Sequence, residues 1–166
     1  MPVTVQFSVR TGRDVFLTEP AADTAPLAGQ DYLYGRVLLA VPGGPEVFVE
    51  DELLPLIASI CLQAPAQLSA GESFGAYLNR SPGEYYLEPA GAEIRLHGSA
   101  VLTAEGNRQT EFVAPAAELL PALHDCGRRA LAFLHGQLGQ DPGQADALNA
   151  LDALQAETSA ALHKDL

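Results

Sequence analysis

Two stretches of this chain run from a strand-like segment straight into a helix-like one, and that junction limits the folds open to it. The later stretch, 111–138, begins Glu-Phe-Val-Ala-Pro-Ala-Ala-Glu-Leu-Leu-Pro-Ala-Leu; the earlier, 46–62, begins Glu-Val-Phe-Val-Glu-Asp-Glu-Leu-Leu-Pro-Leu-Ile. From Ala116 the apolar positions are Ala116, Leu119, Leu120, Leu123, Ala130, Leu131, Leu134 and Leu138, the three-and-four spacing of an amphipathic helix. Pro115 suits a first helical position, where its missing N–H is no loss. Pro121 lacks the donor for the carbonyl four residues earlier, so a kink or a fresh start is expected there, and Pro55 does the same nearer its own helix start. The buried stripes of both helices should lie on a sheet. The Glu-Leu-Leu-Pro echo is either a repeated hairpin-then-helix unit or the general likeness of leucine-rich helix starts.

The remaining elements follow from period and punctuation. Val3, Val5, Phe7 and Val9 alternate with polar residues, which predicts a half-buried strand. A short strand at 15–17, a loop over 19–30 and a central strand at 32–41 follow. Pro42-Gly43-Gly44-Pro45 closes a hairpin onto 46–49. Glu50, Asp51 and Glu52 then open the first helix, where acids satisfy free N–H groups and favour the macrodipole. The chain should leave that helix at Pro65. Strands at 72–78 and 84–88 flank Ser81-Pro82-Gly83, 93–96 and 100–104 read as one interrupted strand or two short ones, and a turn at Glu105-Gly106-Asn107 returns a strand over 108–113. A last helix at 144–164 carries a narrower stripe, so it packs on the outside of the domain or on a second copy, and a homodimer is one outcome. The fold class expected is α+β: one domain with an antiparallel sheet of about six to eight strands and two to three helices mainly on one face.

Charge bounds the function. Twenty-one acids face nine bases for a net charge of −12, Lys164 is the only lysine, and Val37 to Asn79 contains no base. Nucleic acid is not an expected partner, because binding it depends on cations that neutralise phosphates. A basic protein would be attracted and its encounter speeded, or the charge serves solubility alone. No run reaches the roughly 20 apolar residues of a membrane helix, no membrane partner is expected, and the absence of a leader pattern at the N-terminus suggests a cytoplasmic setting. Cys61 and Cys126 fall near helix cores and read as two reduced, buried thiols; no metal-ligand spacing accompanies them.

Chemical motifs are sparse. Gly71-Glu72-Ser73-Phe74-Gly75 has the lettering of a nucleophile elbow, but the elbow needs a strand before its serine and a helix after it, and here the expected order is reversed. His124 and His135 are eleven positions apart on one helix, about 16 Å along the axis, too far for one metal ion. No phosphate-cradling or dinucleotide fingerprint occurs, so no catalytic, cofactor or metal residue is assigned. Phe74, Tyr77, Tyr85 and Tyr86 crowd onto one hairpin with Arg80 and Glu84 beside its turn. Tyrosine and arginine are favoured at binding hot spots, but Tyr85 and Tyr86 must point to opposite faces, so the set is either a binding patch in part or the cover on the edge of the core.

The reading that follows is a non-enzymatic acidic binding module. It would engage a basic protein through Glu46, Glu50, Asp51 and Glu52, or through Tyr77, Arg80, Tyr85 and Tyr86. An alternative is a small-ligand binder or enzyme with a pocket between sheet and helices, using His97, His124 or Arg128; another is a structural homo-oligomer subunit joined through 144–166. In kind, as a small acidic α+β protein, the chain resembles bacterial inhibitor and immunity proteins. That resemblance implies a partner that is a toxic, basic enzyme, often a nuclease.

Overall fold

Alternation in β1 (Thr4–Gly12) builds the first layer: Val5, Phe7 and Val9 are buried, as is Val3 just before the strand, while Thr4 and Gln6 are exposed. The computed structural model describes residues 2–12, 15–21, 33–103, 111–139 and 141–163. β2 (Val15–Thr18), β3 (Tyr34–Ala40), β4 (Glu46–Glu52) and β8 (Leu102–Thr103) join β1 in a five-stranded sheet of order β2-β1-β3-β4-β8. β5 (Phe74–Tyr77), β6 (Glu84–Ala90), β7 (Glu93–His97) and β9 (Phe112–Pro115) form a second sheet in that order. Every neighbouring pair is antiparallel. The fold is thus α+β, with nine strands in two sheets among the described residues instead of one sheet of fewer strands. The helix between β4 and β5 separates the first four strands from the second sheet, and among the described residues only β8 crosses back, pairing Leu102 with Phe48. The turn expected at Glu105-Gly106-Asn107, the start of the strand at 108–110, most of the loop at 19–30, and Tyr32 lie outside the described residues.

Both strand-to-helix junctions exist, at Leu53 after β4 and at Ala116 after β9. The first helical stretch is composite: α1 (Leu53–Leu56), a π-helical segment (Ile57–Gln63) and α2 (Ala64–Ser69), continuous through helical dihedrals at Leu56 and Gln63. Two sequence expectations fail here. The helix does not end at Pro65, which sits at the start of α2; the π segment has already displaced the regular i to i−4 ladder, so the proline forfeits little. Nor do Glu50, Asp51 and Glu52 open the helix. β4 runs on through them, pairing Arg36 with Glu50, Gly35 with Asp51 and Tyr34 with Glu52, and Glu52 at the N-cap makes no side-chain capping bond. α3 (Ala116–Leu138) passes Pro121 without a fresh start; so near the helix N-terminus, only the Ala117 carbonyl loses its partner.

One core joins the layers. Phe7, Val37, Leu39 and Val49 come from the first sheet, Leu87, Leu96 and Phe112 from the second, and Ile57, Ile60, Leu119, Leu123 and Leu134 from the helices. Phe7 meets Phe133 of α3 at 5.9 Å between ring centroids. Arg129 ties α3 to the first sheet: it donates to both Glu19 carboxylate oxygens at 2.7 and 3.1 Å and to the Val5 carbonyl at 3.0 Å. Glu19 holds a φ of 43°, uncommon for a residue with a side chain, and its own N–H donates to Phe7. α3 lies close on the π segment because of Gly127, where a Cβ would stand 2.8 Å from Leu62 Cδ2 and 3.0 Å from the Cys61 Cβ.

α4 (Pro142–His163) covers α3 and the π segment through Leu148, Leu151 and Thr158. The Thr158 hydroxyl donates to the Leu62 carbonyl at 2.6 Å, fully buried. Among the described residues no helix is long and apolar enough to cross a membrane. Thr158→Val keeps the shape and removes this bond, so it should lower unfolding free energy by about 1–3 kcal/mol, read from urea denaturation with an unchanged m-value.

Candidate functional site

The inward alternation Val47, Val49, Asp51 carries a carboxylate into the interior at the end of β4, where Asp51 is 3 % exposed. It finds partners on the other sheet: Oδ2 accepts the Asn79 N–H at 2.8 Å and Oδ1 the Arg80 N–H at 3.1 Å. These amides belong to the turn between β5 and β6, closed by Leu78 N–H to the Gly83 carbonyl at 3.0 Å. Arg80 then reaches Glu52 at 3.3 Å. Asp51 therefore fastens the second sheet's turn to the end of the first sheet.

The outward residues of the same strands form a second cluster. Arg36 Nε donates to Glu50 Oε1 at 2.6 Å, and its guanidinium lies 3.9 Å from the Phe16 ring centroid and 4.3 Å from that of Phe48. Stacking between two rings fixes the cation and, with it, the carboxylate. Tyr34, two positions before Arg36 on the same face, has its phenol pushed up to about 12 by burial, and next by the charge and hydrogen bond of Glu50. Between this face and the fastened turn lies a cavity of about 270 Å³, lined by Tyr34, Glu50, Leu78, Ser81, Pro82, Ser99, Ala100 and Leu102.

The outer face of the second sheet is the other candidate surface. Tyr77 is 77 % exposed. Tyr86 and His97, paired in register, stack with centroids 5.4 Å apart at 30°. Opposite Tyr86 is Gly75, where a Cβ would meet the tyrosine ring at 2.7 Å. Arg95 pairs with Glu111 at 2.8 Å and Glu88 at 3.5 Å. His97 Nε2 is 3.3 Å from Glu88 Oε1 but off the line of a hydrogen bond, so that contact is electrostatic and needs a protonated ring. The Tyr86 phenol is pushed up by desolvation and by its hydrogen bond to Glu84. Helices α2 and α3 pack on the opposite face of this sheet.

The residues singled out from sequence separate into groups. Glu46 is exposed, Glu50 is held by Arg36, Asp51 is buried and Glu52 is held by Arg80. Tyr77, Arg80 and Tyr86 reach the surface, whereas Tyr85 packs in the core against Phe74, 6.3 Å between centroids. The Tyr85 hydroxyl lies beside Ser59 without alignment as a hydrogen bond, and burial raises its phenol. His97, His124 and Arg128 do not converge: His97 is on β7, His124 is buried with Nε2 3.3 Å from the Gln155 carbonyl, and Arg128 is exposed beside Asp125 at 4.0 Å. His135 bridges to Asp152 of α4 at 2.9 Å. Cys61 and Cys126 are both buried free thiols, and burial and the neighbouring Cys126 raise Cys61. Ser73 is exposed after a helix and before a strand, the reverse of a nucleophile elbow.

Sequence reasoning missed Tyr34, Arg36, Ser81 and Ser99. The signal for Arg36 was present: a turn at 42–45 that pairs Ala40 with Glu46 also pairs Arg36 with Glu50. Comparison with protein-family models, with curated proteins and with solved structures finds no match, so the functional reading rests on this geometry alone.

Asp51→Asn leaves one of the two amides without an acceptor and should cost about 2–3 kcal/mol of stability, read from chemical denaturation. Tyr34 gives a pH signature. Its folded pKa of about 12 lies above the ordinary 10, so its contribution is intact below pH 10 and is lost as pH rises toward 12, where the unfolded phenol ionises first. Titration at 295 nm should show one phenol near pH 12 that disappears in Tyr34→Phe.

Proposed function

We propose that the chain is a non-enzymatic binding protein that holds a basic protein partner on the outer face of its second sheet. The observation that carries this reading is Tyr77, 77 % exposed beside the Tyr86–His97 stack. A rigid aromatic pair on a sheet offers large contact area at little entropic cost, which is why tyrosine recurs at hot spots. The surrounding charge favours a cationic partner: Glu88, Glu93 and Glu111 lie around Arg95, which is already paired, and Glu84 stands opposite Tyr77. Elsewhere Arg36, Arg80, Arg128 and Arg129 are likewise matched with acids of this chain, so the surplus charge presented outward is negative. Blocking a basic enzyme, in the manner of an inhibitor or immunity protein in the cytoplasm, is the form of this reading that the acid balance supports.

The test uses immobilised protein and extract of the native source. A stoichiometric basic protein retained at low salt and released at high salt is expected, and the Tyr77→Ala, Tyr86→Ala double variant should weaken its binding at least tenfold while circular dichroism stays native. Equal retention by the double variant would remove the tyrosine face from the reading.

A further inference from the structure

The cavity beneath the fastened turn is separate from the tyrosine face, and its lining specifies a ligand chemistry. At about 270 Å³ it falls just below the roughly 300–1,000 Å³ of drug-sized ligand pockets, too small for a nucleotide cofactor and large enough for one side chain or a small amine. Leu78, Pro82, Ala100 and Leu102 give it apolar walls. Glu50 is the one ionised group in the lining, and Tyr34, its phenol held neutral, stands beside it. Arg36, which neutralises Glu50, is stacked between Phe16 and Phe48 and is not among the lining residues. A carboxylate offers about four acceptor positions, and Arg36 and Tyr34 occupy two of them. Behind the cavity the buried charge of Asp51 is met by the Asn79 and Arg80 amides. Ser99 accepts the Glu84 N–H at 3.2 Å, and exposed Ser81 is also in the lining.

We infer that this cavity is a socket for an aliphatic cation, an ammonium or guanidinium on a short methylene stem. The stem lies along the leucine and proline walls, and the head reaches the open positions of Glu50 and the serine hydroxyls. Lysine and arginine combine an apolar stem with a charged head in this way. The inference goes beyond the proposed partner face and does not require it, since a free amine satisfies the same chemistry.

The experiment follows amide resonances of Ser99, Ala100 and Leu102 by NMR on the full chain. The probes are n-butylammonium, n-butanol of the same stem without charge, and N-acetyl-lysine N-methylamide. Saturable shifts with n-butylammonium at a Kd on the order of millimolar are expected, with n-butanol at least tenfold weaker. Tighter binding of the blocked lysine would assign the socket to a protein side chain; equal or weaker binding would assign it to a free amine. Glu50→Gln should erase the difference between amine and alcohol. Because that variant also loses the Arg36 pair, Ser81→Phe serves as a second variant, obstructing the cavity from an exposed position and abolishing the shifts. Equal binding of butanol and butylammonium, no saturation with any probe, or shifts that survive Ser81→Phe would each overturn the inference. None of these results depends on the tyrosine face, so the two readings fail separately.

Discussion

The carboxylate of Asp51 is the constraint on which the arrangement of the two sheets turns. A charged group this deep is tolerated only when donors meet it, and the donors are backbone amides of the second sheet. The bond therefore couples a residue of β4 to a turn 28 and 29 positions further on, across the composite helix. Everything at the seam inherits its position from that link: the Arg80–Glu52 pair, the cavity wall at Leu78 and Pro82, and the approach of Tyr85 to the π segment. Leaving the turn's amides unmet would cost more than the neutral hydrogen bonds around them contribute, so the seam is specified electrostatically as much as by packing.

The electrostatics of this chain are local before they are global. The sequence shows a large acidic surplus, and a natural reading gives the Glu50–Glu52 run to a partner. In the fold each member has a different address, because successive side chains of a strand point to opposite faces. Glu50 goes to Arg36 on the outside, Asp51 inward, and Glu52 to Arg80. Acids outside these pairs, such as Glu72, Glu93, Glu118 and Asp146, are spread over the exposed surface, where they act through long-range attraction and solubility more than through a single contact.

Periodicity carried much of the fold. The alternation of Val3 to Val9, the stripe from Leu119 to Leu134 and the Pro42–Pro45 hairpin all appear where the residue pattern places them. What the pattern could not carry were choices decided by partners distant in sequence. β4 extends through three acids because β3 continues to pair with it and Asp51 has amides to reach, neither of which is local information. The return of the chain from the second sheet to the first rests on a two-residue strand, β8, whose only signal is its pairing with β4. Of the candidate residues, Tyr77, Arg80 and Tyr86 were legible as surface and Asp51 and Tyr85 were not legible as core, since a strand's two faces exchange with a one-residue change of register.

The π segment sets a limit on how this chain can vary in length. An ordinary helix turns about 100° per residue, so each residue gained or lost rotates everything beyond it by that amount. Ile57–Gln63 absorbs an extra residue inside a helix whose two ends are both fixed, at Leu53 by β3 and β4 and at Leu68 by the core. Removing one residue there would relax the stretch toward a regular α-helix and leave Leu68 facing the interior, whereas removing one from the regular helix beyond it would swing Leu68 away. A single-codon deletion inside the π segment is therefore a change of slack, whereas the same deletion in the regular turns on either side is a change of rotational phase across the middle of the molecule.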